Sequence, residues 1–209
     1  MRRPPRGFTL VELMVVVVII TVLATLAIPL VAEQLRDRRV QEAAERVAAV
    51  YRDARMRAMG RGSAVMVRFS PGTRGRFDIY EAQRGTADAP VGSSDAACAA
   101  LPISSCFAPD WNSNNTDSYR AVSFLDLSNR AEYETLTIGM LDQAGGAVTN
   151  FDVCFTPMGR AFARTNTGVP LTPLTKTLQA EIYRSQGTQR IGRTRNVLVL
   201  PNGVARISL

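Results

Sequence analysis

The sequence predicts an α+β protein: one long N-terminal hydrophobic helix whose outer half packs on a small, antiparallel, β-sandwich-like head. Three observations carry that expectation. Leu13 to Ala32 is a run of 20 residues without a charge. Beyond it the pattern turns amphipathic without a break, until Gly60 and Gly62. From there to the end, short apolar runs alternate with turn residues, and no further helical period intervenes.

The first seven residues, Met1 to Gly7, hold Arg2, Arg3 and Arg6 and no acid. At ~1.5 Å per residue the charge-free run that follows spans roughly 30 Å, the thickness of a bilayer core. A basic flank of this kind keeps the N-terminus in the cytoplasm and sends the rest outward, so a single-pass segment with an exported head is expected. Glu12 lies at the edge of the run. An ionised carboxylate there costs ~2.5–3.5 kcal/mol on insertion scales and should find a partner. Pro29 removes one helical hydrogen bond and crowds the preceding turn, so a kink or local melting is expected near residues 25–29.

Past Ala32, one helical face collects Val40, Ala43, Ala44, Val47, Val50, Tyr51, Ala54 and Ala58 at three- and four-residue steps. That stripe should meet a sheet. Glu42 with Arg46, and Asp53 with Arg57, are spaced as i,i+4 pairs on the wet side. The helix is expected from Phe8 to Met59, and as one piece it would be ~78 Å long.

The expected strands are Val65–Phe69, Phe77–Tyr80, Tyr119–Leu125, Thr135–Leu141, Phe151–Phe155, Leu178–Tyr183, Val197–Leu200 and Val204–Leu209. Gly145-Gly146 and Pro201-Asn202-Gly203 mark hairpin turns. Many strands without intervening helices imply antiparallel sheets. Residues 82–118, rich in Ala, Ser, Asn, Gly and Pro, are too long for an ordinary connection and read as an inserted loop.

Composition narrows the chemistry. The chain of 209 residues has no histidine, which removes Ser-His-Asp and Cys-His constellations and His-ligated metals. Its three cysteines lack the C-x-x-C spacing of zinc or redox sites. Gly60-Arg61-Gly62-Ser63 lacks the ending of a phosphate loop. No enzyme activity, cofactor or metal is expected. The formal charge is +7, falling to +4 without the three arginines of residues 1–7, well short of a nucleic-acid-binding composition. In an exported head a Cys98–Cys106 bridge would pin the loop and leave Cys154 a buried thiol. A bridge from either loop cysteine to Cys154 is the alternative.

Gly7-Phe8-Thr9-Leu10-Val11-Glu12, with the apolar run and Pro29 behind it, resembles the class III leader and helix of type IV pilins and type II secretion pseudopilins. The resemblance implies cleavage after Gly7 by an inner-membrane prepilin peptidase, which then methylates Phe8. It also implies that Glu12 docks the subunit onto a filament, the new α-amino group at Phe8 being the candidate partner of its carboxylate. The organisation implied is a leader (1–7), a membrane and filament-core helix (8–32), an outer helix (33–60) and a head (61–209). The segment Ala54 to Val65 is similar to the helix-to-strand junction of the GspH/FimT group of minor pilins and minor pseudopilins, which includes FimU-type proteins. That implies a minor pilin at or near the tip of a type IV pilus, starting assembly with other minor and major pilins and the inner-membrane platform. The alternative is a minor pseudopilin of type II secretion. A further resemblance joins Gly192-Arg193-Thr194-Arg195 to an element with which FimT-type pilins bind DNA in natural transformation, making Arg193 and Arg195 candidate contacts. The missing aromatic interleaving and the modest charge weigh against nucleic acid as a partner.

Overall fold

The computed structural model describes residues 7–208 except 73, 83–102, 108, 113–118, 129–130 and 188, with the side chains of 26, 29, 30 and 132 also outside the described set. The chain divides into two compact units, Met1–Arg38 and Arg39–Leu209. A single helix, α1 (Leu10–Arg61, 52 residues), supplies residues to both.

In the first unit α1 is apolar on every side along the charge-free run that begins at Leu13. Leu10, Val11, Leu13, Met14 and the residues through Leu23 leave about half or more of their surface open. The two threonines of that run turn inward on the backbone. Thr21 Oγ1 donates to the Val17 carbonyl at 2.6 Å and Thr25 Oγ1 to the Val22 carbonyl at 2.8 Å, so no hydroxyl asks for water. Among the described residues no helix is long and apolar enough to cross a membrane; the charge-free run in the sequence includes residues 26, 29 and 30. The helix continues through residues 25–29 without the local melting that Pro29 led us to expect. One proline costs a single i→i−4 bond, and the bonded turns on either side hold the path.

The second unit begins with the last 23 residues of α1, Arg39 to Arg61. Every residue of the expected stripe, from Val40 to Ala58, is buried, and Ala48 joins it. Small side chains dominate the stripe, which lets the helix backbone approach the strands closely. Gly60 lies inside the helix, and the stop comes at Gly62. There φ is +69°, and the Gly62 N–H closes on the Ala58 carbonyl at 3.0 Å, the left-handed cap that only glycine takes without strain.

Eleven strands follow among the described residues: β1 (Val65–Ser70), β2 (Arg76–Ala82), β3 (Tyr119–Asp126), β4 (Leu136–Leu141), β5 (Ala147–Val148), β6 (Phe151–Phe155), β7 (Ala161–Arg164), β8 (Thr172–Pro173), β9 (Leu178–Gln186), β10 (Gln189–Val199) and β11 (Ala205–Ser208). They form two antiparallel sheets, one ordered β3-β2-β1-β6-β7-β8 and the other β11-β10-β9-β4-β5. The fold is therefore α+β, as expected, with the helix packed on antiparallel sheets. One core joins the helix stripe to Val65, Val67 and Phe69 of β1, Phe151, Val153 and Phe155 of β6, and Leu178, Ala180 and Ile182 of β9. The alternation along β1 and β9 is the two-residue period of strands with one face inward.

The other face of the six-stranded sheet is not left to solvent. Met66 and Cys154 point outward from β1 and β6 into a second cluster with Ala64, Ala82, Cys106, Trp111 and Leu171. This explains why β6 is buried at every position. The cover comes from residues 103–112, inside the stretch read as an inserted loop. The Ala64 N–H donates to the Ile103 carbonyl at 2.7 Å, and Trp111 Nε1 to the Cys106 carbonyl at 2.8 Å. A disulfide joins Cys106 to Cys154. The expected Cys98–Cys106 pairing is thereby corrected, since Cys106 takes the alternative partner; Cys98 lies outside the described residues. The physical reason is that Cys154 faces the covering segment from the sheet, not the main core.

The i,i+4 pairs divide in the same way. Arg46 meets Glu42 at 2.6 Å, but Arg57 turns from Asp53 to a buried partner far along the chain, Glu81. The turns at Gly145 and Gly203 are in place, with φ of +85° and +78°.

Candidate functional site

Residues 7–9 precede the first helical turn and are open to solvent. Phe8 is 82% exposed, and the space around Gly7 where a Cβ would stand is empty. The Gly7-Phe8 peptide bond is thus non-helical and reachable. The turn that follows is tied by a reciprocal pair. The Glu12 N–H donates to Thr9 Oγ1 at 3.2 Å, and the Thr9 N–H donates to Glu12 Oε2 at 3.5 Å. This is a capping box: Thr9 is the cap and Glu12 the third helical residue, and each satisfies a backbone donor that the helix start leaves without a partner. The negative carboxylate also faces the positive end of the helix dipole. Glu12 was expected to seek the α-amine of Phe8. With Gly7 still attached that nitrogen is an amide, and the carboxylate serves the cap. The signal was legible as Thr-x-x-Glu ahead of an apolar run, and the sequence reading did not use it.

The head contains two buried carboxylates, each held by arginines. Asp152, on β6, receives Arg68 Nε at 2.9 Å and Arg164 Nε at 2.7 Å. Arg68 continues to the Trp111 carbonyl at 3.0 Å, and Arg164 to Asn112 Oδ1 at 2.7 Å and the Thr167 carbonyl at 3.2 Å. The network therefore fastens the covering segment at Trp111 and Asn112 to the sheet at β1, β6 and β7. Tyr51, wholly buried in the main core, has its phenol pushed up by burial, with the Asp152 charge adding to the effect.

Glu81, on β2, is 4% exposed. Its Oε2 accepts Arg57 Nη2 at 2.8 Å and Arg120 Nη2 at 3.0 Å, and its Oε1 accepts Ser63 Oγ at 3.1 Å and Arg61 Nη1 at 3.4 Å. Burial alone would raise its pKa, but the hydrogen bonds from Arg57 and Arg120 prevail and hold it below the usual carboxylate range. Arg57, Arg61 and Ser63 all come from the Ala54–Val65 junction. That segment is thus the place where the helix end is clamped to β2 and β3. Sequence reading could not reach either network, because carboxylate partners 12 to 84 residues apart carry no periodic signal.

Arg193 and Arg195 lie within β10. The register between β9 and β10 shifts between Ile191 and Arg195, and Gly192 there has φ of +72°. Arg195 Nε donates to Gln41 Oε1 at 2.6 Å, next to the start of the head's part of α1. Gly159 and Arg160 lie in the β6–β7 turn, where the Gly159 N–H closes on the Thr156 carbonyl at 2.8 Å.

Comparison with known proteins bears mainly on the N-terminus. Residues 2–28 match the family model of the prokaryotic N-terminal methylation motif. No curated protein matches the chain significantly. Among solved structures the chain is similar to the type IV minor pilin FimU of Pseudomonas aeruginosa strain PAO1, with 17% identity, a TM-score of 0.43, and coverage of 83% of this chain and 89% of that one. The N-terminal segment is type IV pilin-like, with an N-methylation leader, which implies processing by prepilin peptidase. Such a leader belongs to structural, filament-forming chains and not to enzymes, and it is consistent with anchoring in the inner membrane before assembly.

Proposed function

We propose that this chain is a minor pilin of a type IV pilus, incorporated at or near the filament tip, where it helps to start assembly. Prepilin peptidase cuts between Gly7 and Phe8, methylates Phe8, and releases residues 1–7 as the leader. The observation that carries this reading is the methylation motif, whose Gly7-Phe8 bond lies exposed and non-helical directly before an apolar helix. A helix apolar on every side needs lipid or other helices around it. It fits a segment that waits in the inner membrane, N-terminus in the cytoplasm, and then enters a filament core. Residues 8–32 are that segment, 33–60 the outer helix and 61–209 the periplasmic head. The Cys106–Cys154 disulfide supports an oxidising compartment for the head.

Cleavage frees an α-amine at Phe8, one helical turn from Glu12. The carboxylate can then pair with an amine of its own or a neighbouring chain, an ion pair with real worth away from water. Pro29 supplies a turn with one hydrogen bond fewer, where the helix can extend as subunits pack. Changing Gly7→Leu tests the reading. The substituted chain should keep its leader and stay out of filaments, whereas assembly of uncleaved chain would overturn it. Affinity capture of the assembled protein should recover pilus-tip subunits; recovery of type II secretion pseudopilins in their place would move the chain to that machine.

A further inference from the structure

The two buried carboxylates of the head are built to opposite plans. Around Asp152 the accounting closes but for one donor. Its two arginines are largely enclosed, with side-chain exposures of 19% and 6%; Arg164 ends on Asn112 and Thr167 and Arg68 Nη2 on Trp111, which leaves Arg68 Nη1 alone without an acceptor among the described residues. That is a fastening. Around Glu81 the accounting stays open. Arg57, Arg61 and Arg120 converge on one carboxylate, with side-chain exposures of 31%, 53% and 47%. Both Arg57 and Arg120 spend Nε and Nη2 on the same oxygen, Oε2. Among the described residues Nη1 of each, and Nε and Nη2 of Arg61, meet no acceptor. One two-pronged arginine would satisfy a buried carboxylate. Three leave a local charge of +2 facing solvent, with like charges held close together.

We propose that Arg57, Arg61 and Arg120 form a receptor for carboxylate groups on an acidic protein partner, with Glu81 as the template that holds the three guanidiniums in place. Arginines on a helix end and an edge strand would ordinarily splay apart in water. Glu81, fixed by Ser63 and buried under them, prevents that and keeps their planar N–H edges presented for two-pronged pairing. Protein carboxylate is favoured over nucleic acid because the aromatic side chains next in sequence to Glu81 and Arg120 lie on the other face of the sheet, away from the arginines. Tyr80 packs edge-on against Tyr119 with ring centroids 5.2 Å apart, and Tyr119 lies 5.5 Å from Trp111. These rings pack with one another in the second cluster and offer no platform for stacking bases beside the arginines. The inference concerns the head alone and does not depend on which filament the chain joins.

The test titrates a hexaglutamate peptide into the full chain in non-ionic detergent at low salt, followed by calorimetry. Saturable binding is expected. It should weaken about fivefold or more in Arg61→Gln/Arg120→Gln, each exposed ion pair being worth up to ~1 kcal/mol. Arg193→Gln/Arg206→Gln, which removes the same charge from β10 and β11, should leave it unchanged. Arg61→Lys/Arg120→Lys keeps the charge without the planar fork, and it too should bind more weakly. Native Trp111 emission in each variant certifies the fold. The proposal is overturned by absence of saturable binding, by equal weakening in the β10/β11 variant, by wild-type affinity in the lysine variant, or by stronger binding of duplex DNA than of the peptide.

Discussion

Removing the disulfide through Cys106→Ala/Cys154→Ala should release the cover of the six-stranded sheet before the sheet itself unfolds. The two cysteines are 48 residues apart. Closing a loop of that length removes chain entropy worth about 4 kcal/mol from the unfolded state at 25 °C. With a urea dependence of ~1–3 kcal/mol per molar, the unfolding midpoint of the full chain in non-ionic detergent should fall by roughly 2 M. The chain carries its own reporter. Trp111 is its one tryptophan, is 3% exposed, and donates to the carbonyl of Cys106 itself. In the variant its emission should shift to the red at lower urea than the loss of far-UV ellipticity. Non-reduced peptide mapping of the wild type should recover Cys106 linked to Cys154. An unchanged midpoint, or a Cys106 peptide linked to Cys98 with Cys154 open to alkylation, would refute the placement of residues 103–112.

The two carboxylates should answer differently to neutralisation. Asp152→Asn strands one buried and one half-buried guanidinium, Arg164 and Arg68, and should cost about 3–5 kcal/mol in urea unfolding. Glu81→Gln should cost only about 1 kcal/mol, since its arginines reach water. Because the folded Glu81 has a lowered pKa, its stabilisation is complete above the unfolded value of about 4.3 and is lost as pH falls through the folded value. The gap between wild type and Glu81→Gln should therefore be constant above the unfolded value and close as pH falls below it; a gap that widens on acidification would contradict the sign. Thr9→Val removes the cap at the start of α1 and should reduce amide protection in the first helical turn, read by hydrogen exchange, by about 1 kcal/mol.

The parts of the fold that announce themselves by period were open to sequence reading. The eight residues from Val40 to Ala58 are all buried, and Phe151–Phe155 has the bounds of its strand. Strands without a period were not. Residues 161–164 are half alanine, and β10 runs back to Gln189 through Arg, Gly and Thr because it pairs there with a polar stretch of β9. Thr172–Pro173 and Ala147–Val148 are too short to carry any alternation. The stretch 82–118 read as loop because its composition is that of a linker, yet its Cys106 and Trp111 are buried against the sheet. A lone tryptophan beside a cysteine in a polar segment was the available clue. The N-terminal methylation motif was legible for a different reason: it is written in consecutive residues.

The central claim is that processing defines this chain, and the most direct measurement is the mass and N-terminal sequence of the protein made together with an active prepilin peptidase. The account predicts a chain that begins at Phe8, lacks residues 1–7, and carries one added methyl group on its α-amine. A chain that still begins at Met1, or one cut beyond the apolar run so that the helix is lost, would contradict it.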